Sequence, residues 1–109
     1  MKLTRKEQSA LKKFKAAVEK ALAGKLVDIK LFGSKARGDA RKDSDIDVLV
    51  VTSSDDWRIR NVVYRMVSDI LLETEVSISA KALSRRDCER LRTEGSAFIR
   101  NVIQDGIPV

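Results

Sequence analysis

Asp45 and Asp47 stand two residues apart at the head of an apolar run, VLVV (48–51). Side chains alternate along an extended strand, so both carboxylates project from one face. Held that close they repel, and a hard divalent cation is the natural neutraliser. Upstream, Gly33-Ser34 ends a second apolar stretch, LVDIKLF (26–32), and ten residues separate the two pairs. A strand that ends where a helix begins offers free backbone N–H groups, which favour an anion such as phosphate. Ser34 adds a hydroxyl donor, and Lys35 and Arg37 add positive charge. A triphosphate cradle beside metal-holding carboxylates is what transfer of a nucleotidyl group needs.

Each piece alone has a plainer reading. Gly-Ser after a strand is usually a turn, and Lys35 and Arg37 alone would be surface charge. Asp47 is harder to dismiss, because a central strand seldom tolerates an unpaired carboxylate. The full pattern would arise by chance in a chain this long on the order of once in a thousand. Other chemistries are excluded by composition. The chain has no histidine, so it holds no Ser-His-Asp or Cys-His pair and no zincin motif. A lone cysteine, Cys88, makes neither a Cys-rich zinc site nor an internal disulfide, and suits a reducing cytoplasm. Gly33 and Gly38 have the spacing of a Walker A loop, but Asp39 and Ala40 follow where Lys and Ser/Thr belong. An acid in the place of the phosphate-binding lysine has the wrong charge.

These residues must be positioned by a small domain. At 109 residues, with 43% hydrophobic and 35% charged residues, the chain is expected to form one domain (1–109) with a core of its own. No apolar run approaches the ~20 residues that span a bilayer, and the N-terminus shows no signal-peptide block. The net charge of +6 resides in residues 1–25, with eight Lys/Arg against two Glu, while the rest sums to zero. That segment could meet nucleic acid or an acidic partner, but no aromatic residue interleaves with its charges, and a solvated helix face is the simpler reading.

Thr4-x-x-Glu7 has the form of a capping box, and Leu11, Phe14, Val18 and Leu22 follow at helical spacing, which predicts a helix over 5–23. Strands are expected at 26–32 and 46–52, with a possible helical turn and a polar loop over 33–44. Ser53 to Asp56 supply a cap and an acidic first turn for a helix over 55–73. EVSISAKAL (75–83) alternates like a half-buried strand, with Glu75, Ser77 and Ser79 on one face. Helices over 85–94 and 96–104 complete the chain. The pattern is α/β, helices packed on a three- to four-stranded mixed sheet.

LFGSKARGDARKDSDIDVLVV (31–51) resembles the signature of the minimal nucleotidyltransferases of the DNA polymerase β superfamily, and the tail RDCERLRTEGSAFIRNVIQDGIPV (86–109) resembles theirs. The resemblance implies a palm-like domain in which Gly33 and Ser34 grip the triphosphate and Arg37 lies beside the nucleotide; Lys35, by its charge next to Ser34, is a further nucleotide-binding candidate. Asp45 and Asp47 would hold Mg²⁺, with two ions possible. Many such proteins act as antitoxins and transfer AMP from ATP to a HEPN-family toxin. The implied function is therefore Mg²⁺-dependent transfer of a nucleoside monophosphate to an acceptor hydroxyl, with ATP or another NTP as donor and a HEPN-type protein as partner. No membrane is implied.

One departure stands out. The family usually carries a third carboxylate on the next strand, and matching VSISAKALS (76–84) to that strand puts Ser77 there. Serine ligates Mg²⁺ poorly and is no base near neutral pH. Glu75, expected on the same face two residues earlier, could substitute, or both could be polar residues on a solvent face. Two alternatives therefore accompany transfer. One is a nucleotide-binding antitoxin that has lost catalysis and acts by binding. The other is a nucleic-acid-binding module built on the basic N-terminal helix.

Overall fold

Thr4 opens the first helix as its spacing to Glu7 predicts. The computed structural model describes residues 3–41 and 44–109, and there α1 runs over Arg5–Ala21. The Glu7 N–H donates to Thr4 Oγ1 and the Thr4 N–H donates to Glu7 Oε1, both at 3.0 Å, which closes the capping box. The apolar spacing becomes a buried stripe of Ala10, Leu11, Phe14 and Val18.

The strands β1 (Leu26–Phe32) and β2 (Ile46–Thr52) fall on the two apolar runs and pair antiparallel. Between them lies α2, a five-residue helix over Gly33–Arg37 that Gly38 ends at φ 84°. Lys42 and Asp43, in the expected polar loop, lie outside the described residues. The long helix α3 (Trp57–Thr74) starts two residues later than the acidic run suggested, because Asp56 is its cap and accepts from the Arg58 N–H.

The third strand needs a correction. β3 runs over Ile78–Ser84, not 75–83, since α3 continues to Thr74 and Glu75 is its cap in the left-handed region (φ 60°). Glu75 is therefore not on the strand face that alternation assigned to it. Beyond β3 come α4 (Arg85–Thr93) and α5 (Ala97–Asp105), close to the expected bounds. A two-residue β4 (Ile107–Pro108) then adds to the free edge of β1.

The sheet order is β3-β2-β1-β4, with β2 and β3 parallel and the other pairs antiparallel. One face carries α1 and α3. There Phe14, Val18, Val63 and Ile70 meet Ile29, Leu31, Ile46, Val48 and Val50. Leu49 and Val51 point to the other face, where they line one pocket with Ile99 and Val102 of α5 and where α4 contacts β2. β2 is thus covered on both faces along its later half, which explains its unbroken apolar run. Among the described residues no helix is long and apolar enough to cross a membrane.

Candidate active site

Asp47 is the residue around which the site is built. It opposes Phe32 across the β1–β2 pair, so the next residue of that chain segment, Gly33, arrives beside its carboxylate. A Cβ at Gly33 would lie 3.1 Å from Asp47 Cγ, 3.2 Å from its Cβ and closer still to Oδ2. Gly33 also sits at φ 73°, where an L side chain is strained. Glycine is thus required twice over, for the backbone turn and for the room that the Asp47 carboxylate occupies.

Burial pushes the Asp47 carboxyl up from its ordinary value, the nearby charge of Asp45 adds to this, and Arg37 offsets part of it. The pair therefore sits where negative charge is unwelcome unless a cation joins it. Donor chemistry fits as well, since two carboxylate side chains suit a hard divalent ion. Among the described residues, however, no three of His, Cys, Asp and Glu come together as a metal-binding group.

The cradle is narrower than the sequence suggests. No side chain caps α2, so its first-turn N–H groups are left without a side-chain acceptor, and Ser34 is half-buried beside them. A five-residue helix carries little macrodipole, so those N–H groups and the Ser34 hydroxyl are what remains to hold phosphate.

Lys35 does not join the cradle. Its ammonium is 2.8 Å from Glu7 Oε2, with the two side chains only 5% and 14% exposed. Burial pushes the Glu7 carboxyl up, but the hydrogen bonds from Lys35 and Thr4 and the Lys35 charge outweigh it, holding it below the ordinary range. Lys35 is the bolt between α2 and the capped end of α1. Arg37 remains partly exposed, reaching Asp39 at 3.2 Å and Asp105 of α5 at 3.3 Å. Hydrogen bonds to these two acids hold its guanidinium pKa above the ordinary value. A T-shaped contact of Phe32 with Phe98, centroids 5.4 Å apart, ties the same helix to the start of α2.

Beside Asp45, a cleft of about 390 Å³ is lined by Thr4, Lys6, Glu7, Ser44, Asp45, Glu75, Val76 and Ser77. Glu75 reaches it from the end of α3 and pairs loosely with Lys6 at 3.7 Å. Ser77 lies just before β3, its carbonyl accepting from the Ile46 N–H at 3.2 Å. The parallel register sets Ser79, not Ser77, directly beside Asp47. Glu7 and Asp105 escaped the sequence reading as site-framing residues. Glu7 was visible as a capping residue, but nothing local shows its partner 28 positions on. Cys88 lies elsewhere, against α5, and burial with Asp87 and Glu89 pushes its thiol up, away from nucleophilic chemistry.

Comparison with known proteins identifies the family. The nucleotidyltransferase domain family matches residues 11–101. A Methanocaldococcus jannaschii chain named as a protein adenylyltransferase is 35% identical over 102 residues, covering 92% of this chain and 94% of that one. Among solved structures, a minimal nucleotidyltransferase superposes with a TM-score of 0.60 at 21% identity, covering 94% of each chain. A toxin–antitoxin structure with AMP-PNP gives 0.56 at 20% identity, covering 87% of this chain and 68% of that one. Both structural likenesses concern the fold. The chain belongs to the nucleotidyltransferase domain family and is a transferase of that kind.

Proposed function

We propose that this transferase moves AMP from ATP, with Mg²⁺, to a hydroxyl on a partner protein, in the cytoplasm. The observation that carries the reading is the packing of side-chain-free Gly33 against Asp47, which brings a phosphate-approachable backbone beside a carboxylate that burial and Asp45 leave in need of a cation. The relative named as a protein adenylyltransferase supports AMP as the group and protein as the acceptor. The toxin–antitoxin neighbours, one with AMP-PNP and one named MntA-HpeT, support ATP as the donor and a toxin as partner, for which a HEPN-type protein is our candidate.

Asp45 and Asp47 are the residues that would hold the metal. When bound there, the ion supplies positive charge for the phosphoryl oxygens as charge shifts onto pyrophosphate. The chain does the rest. First-turn N–H groups of α2 and the Ser34 hydroxyl donate to phosphate oxygens, and Gly33 lets the backbone approach them. Arg37, at the rim, is placed to turn from Asp39 and Asp105 toward the nucleotide. The acceptor oxygen bonds to the α-phosphorus, the bond to the bridging oxygen of the leaving pyrophosphate breaks, and the hydroxyl proton departs on the acceptor side. In-line displacement puts the acceptor opposite the leaving pyrophosphate, and Glu75, which lines the cleft beside Asp45, is our candidate to take that proton.

A second reading is a nucleotide-binding antitoxin that acts by binding alone. It is favoured by the lack, among the described residues, of a third carboxylate gathered with Asp45 and Asp47. The nucleic-acid reading is weaker, because Lys6, Lys13 and Lys15 on α1 each face a carboxylate within 4 Å. Incubation with ATP labelled at the α-phosphate, Mg²⁺ and a co-expressed HEPN-type protein separates these. Label on the partner, lost with Asp47→Asn, supports transfer. Nucleotide binding without label supports the antitoxin, and equal nucleotide affinity of wild type and Asp47→Asn with Mg²⁺ refutes the site.

A further inference from the structure

A helix of five residues does not hold itself in place, since an isolated helix shorter than roughly 12–15 residues is marginal in water. The N–H groups that α2 offers to phosphate therefore point where its neighbours aim them. Ala36 is buried in the core, and Phe32 at the cap meets Phe98 edge to face. The polar contacts are those of Lys35 and Arg37. Arg37 is itself nearly half exposed, and its hold on Asp39 and Asp105 is given up when the guanidinium turns to the nucleotide. The pair of Lys35 with Glu7 is buried, and it stays.

Glu7 is held at both carboxylate oxygens. Oε1 accepts the Thr4 N–H at 3.0 Å, while Oε2 meets the Lys35 ammonium at 2.8 Å. Behind it, α1 is fixed to the core by Ala10, Leu11, Phe14 and Val18. A rigid path thus runs from the core through α1 and Glu7 to Lys35, which follows Ser34 directly and Gly33 by two residues. At 1.5 Å of rise per residue, both lie within about 3 Å of Lys35 along the helix axis. Stability alone does not account for the pair. Apolar side chains of similar volume in place of a buried ion pair are often neutral or better, whereas a pair in contact fixes a distance and a direction.

We propose that Glu7 is a positioning residue for nucleotide binding: through Lys35 it sets where the first-turn N–H groups of α2 and the Ser34 hydroxyl stand relative to Asp45 and Asp47. The proposal rests on the reading of α2 as the triphosphate cradle. Lys35 then serves the phosphate without touching it. Misplacing a binding group by 1 Å can cost about 10²-fold, and α2 released from Glu7 is free to move its phosphate donors away from the carboxylates that hold the metal.

Calorimetry with ATP and Mg²⁺, together with amide hydrogen exchange of the nucleotide-free chain, tests this on two variants. They are Glu7→Gln and the double variant Glu7→Gln with Lys35→Met, each at a temperature where circular dichroism shows it folded. Both are expected to bind ATP at least tenfold more weakly than wild type. The double variant should do so with its thermal midpoint largely recovered, and with the amides of residues 34–37 exchanging faster while those of α3 do not change. A double variant whose affinity returns along with its stability gives the pair a merely structural role and overturns the proposal. Unchanged exchange in α2 overturns it too. Glu7→Gln that binds ATP as well as wild type or better, beside a weakened double variant, makes Lys35 a direct phosphate ligand and overturns it equally. Wild type that binds no ATP is a different failure, which overturns the cradle itself and with it the reading on which the proposal rests.

Discussion

Replacing Glu7 by Gln should cost this protein more stability than any other change of one atom type near the site. Gln keeps the shape of Glu and can still accept from the Thr4 N–H, so the capping box survives. What is lost is the negative charge facing Lys35, whose ammonium is 2.8 Å away and only 5% exposed. Removing one member of a buried pair costs about 3–5 kcal/mol, because the other is left uncompensated. We expect a loss of about 3 kcal/mol at pH 7.

For a domain of this size each kcal/mol moves the midpoint by roughly 4–8 °C, so thermal unfolding followed by circular dichroism should show a fall of more than 10 °C. The pH dependence carries the sharper test. The folded-state pKa of Glu7 is depressed, so its contribution is present above the ordinary glutamate range, about pH 4, and is lost as pH falls through the lower folded value. The gap between wild type and Glu7→Gln should therefore close on acidification. The double variant Glu7→Gln with Lys35→Met should recover much of the loss, because neither charge is then buried alone. A loss under about 1 kcal/mol at pH 7, or a gap that does not narrow as pH falls below the ordinary glutamate range, would refute the reasoning and leave Lys35 free to be the phosphate ligand that its place in the sequence suggests.

Three further outcomes follow from the same geometry. Gly33→Val should weaken ATP binding, measured by calorimetry, by well over tenfold, about 1.4 kcal/mol, with the fold first checked by circular dichroism. Arg37→Ala should lower the midpoint by only a few degrees, since its partners are exposed or at the rim, yet should raise the KM for ATP if the guanidinium turns to the nucleotide. Ser77→Asp should raise label transfer by about 10²–10⁴-fold if the third carboxylate is missing. Should Glu75 fill that role already, Glu75→Gln abolishes transfer and Ser77→Asp adds little.

Much of the scaffold was legible because its signals are local. The runs 26–32 and 46–52 are strands to the residue, and the capping box and apolar stripe of α1 lie where their spacing puts them. Gly33-Ser34 does open a helix, but one of five residues. What escaped depends on distant partners or on backbone states that side-chain type does not announce. Lys35 follows Gly33-Ser34 in sequence and looks like a phosphate ligand, yet it is turned inward by a carboxylate 28 positions earlier. Glu75 alternates with Val76 like a strand residue, but it adopts a left-handed cap that few non-glycine residues adopt. β4 is two residues long, with no periodicity to read.

The site depends most on the register between β1 and β2. Phe32 faces Asp47 in that pairing, and this is what brings Gly33 against the carboxylate and the first turn of α2 beside it. Slipping β2 by one residue would turn Asp47 into the face that Ile46, Val48 and Val50 fill, and would bring those three out. Burying an unpaired carboxylate while exposing three β-branched side chains is strongly unfavourable, so the apolar alternation that folds the sheet also fixes the distance from cradle to carboxylates. Asp47 itself works against the fold, since burial and Asp45 raise its pKa. The strand tolerates it at the edge of the core, two residues before its neighbours are covered by α5. A carboxylate held in such a place by the packing of its neighbours is poised to gain from a cation, and the protein should be more stable with nucleotide and Mg²⁺ together than with nucleotide alone.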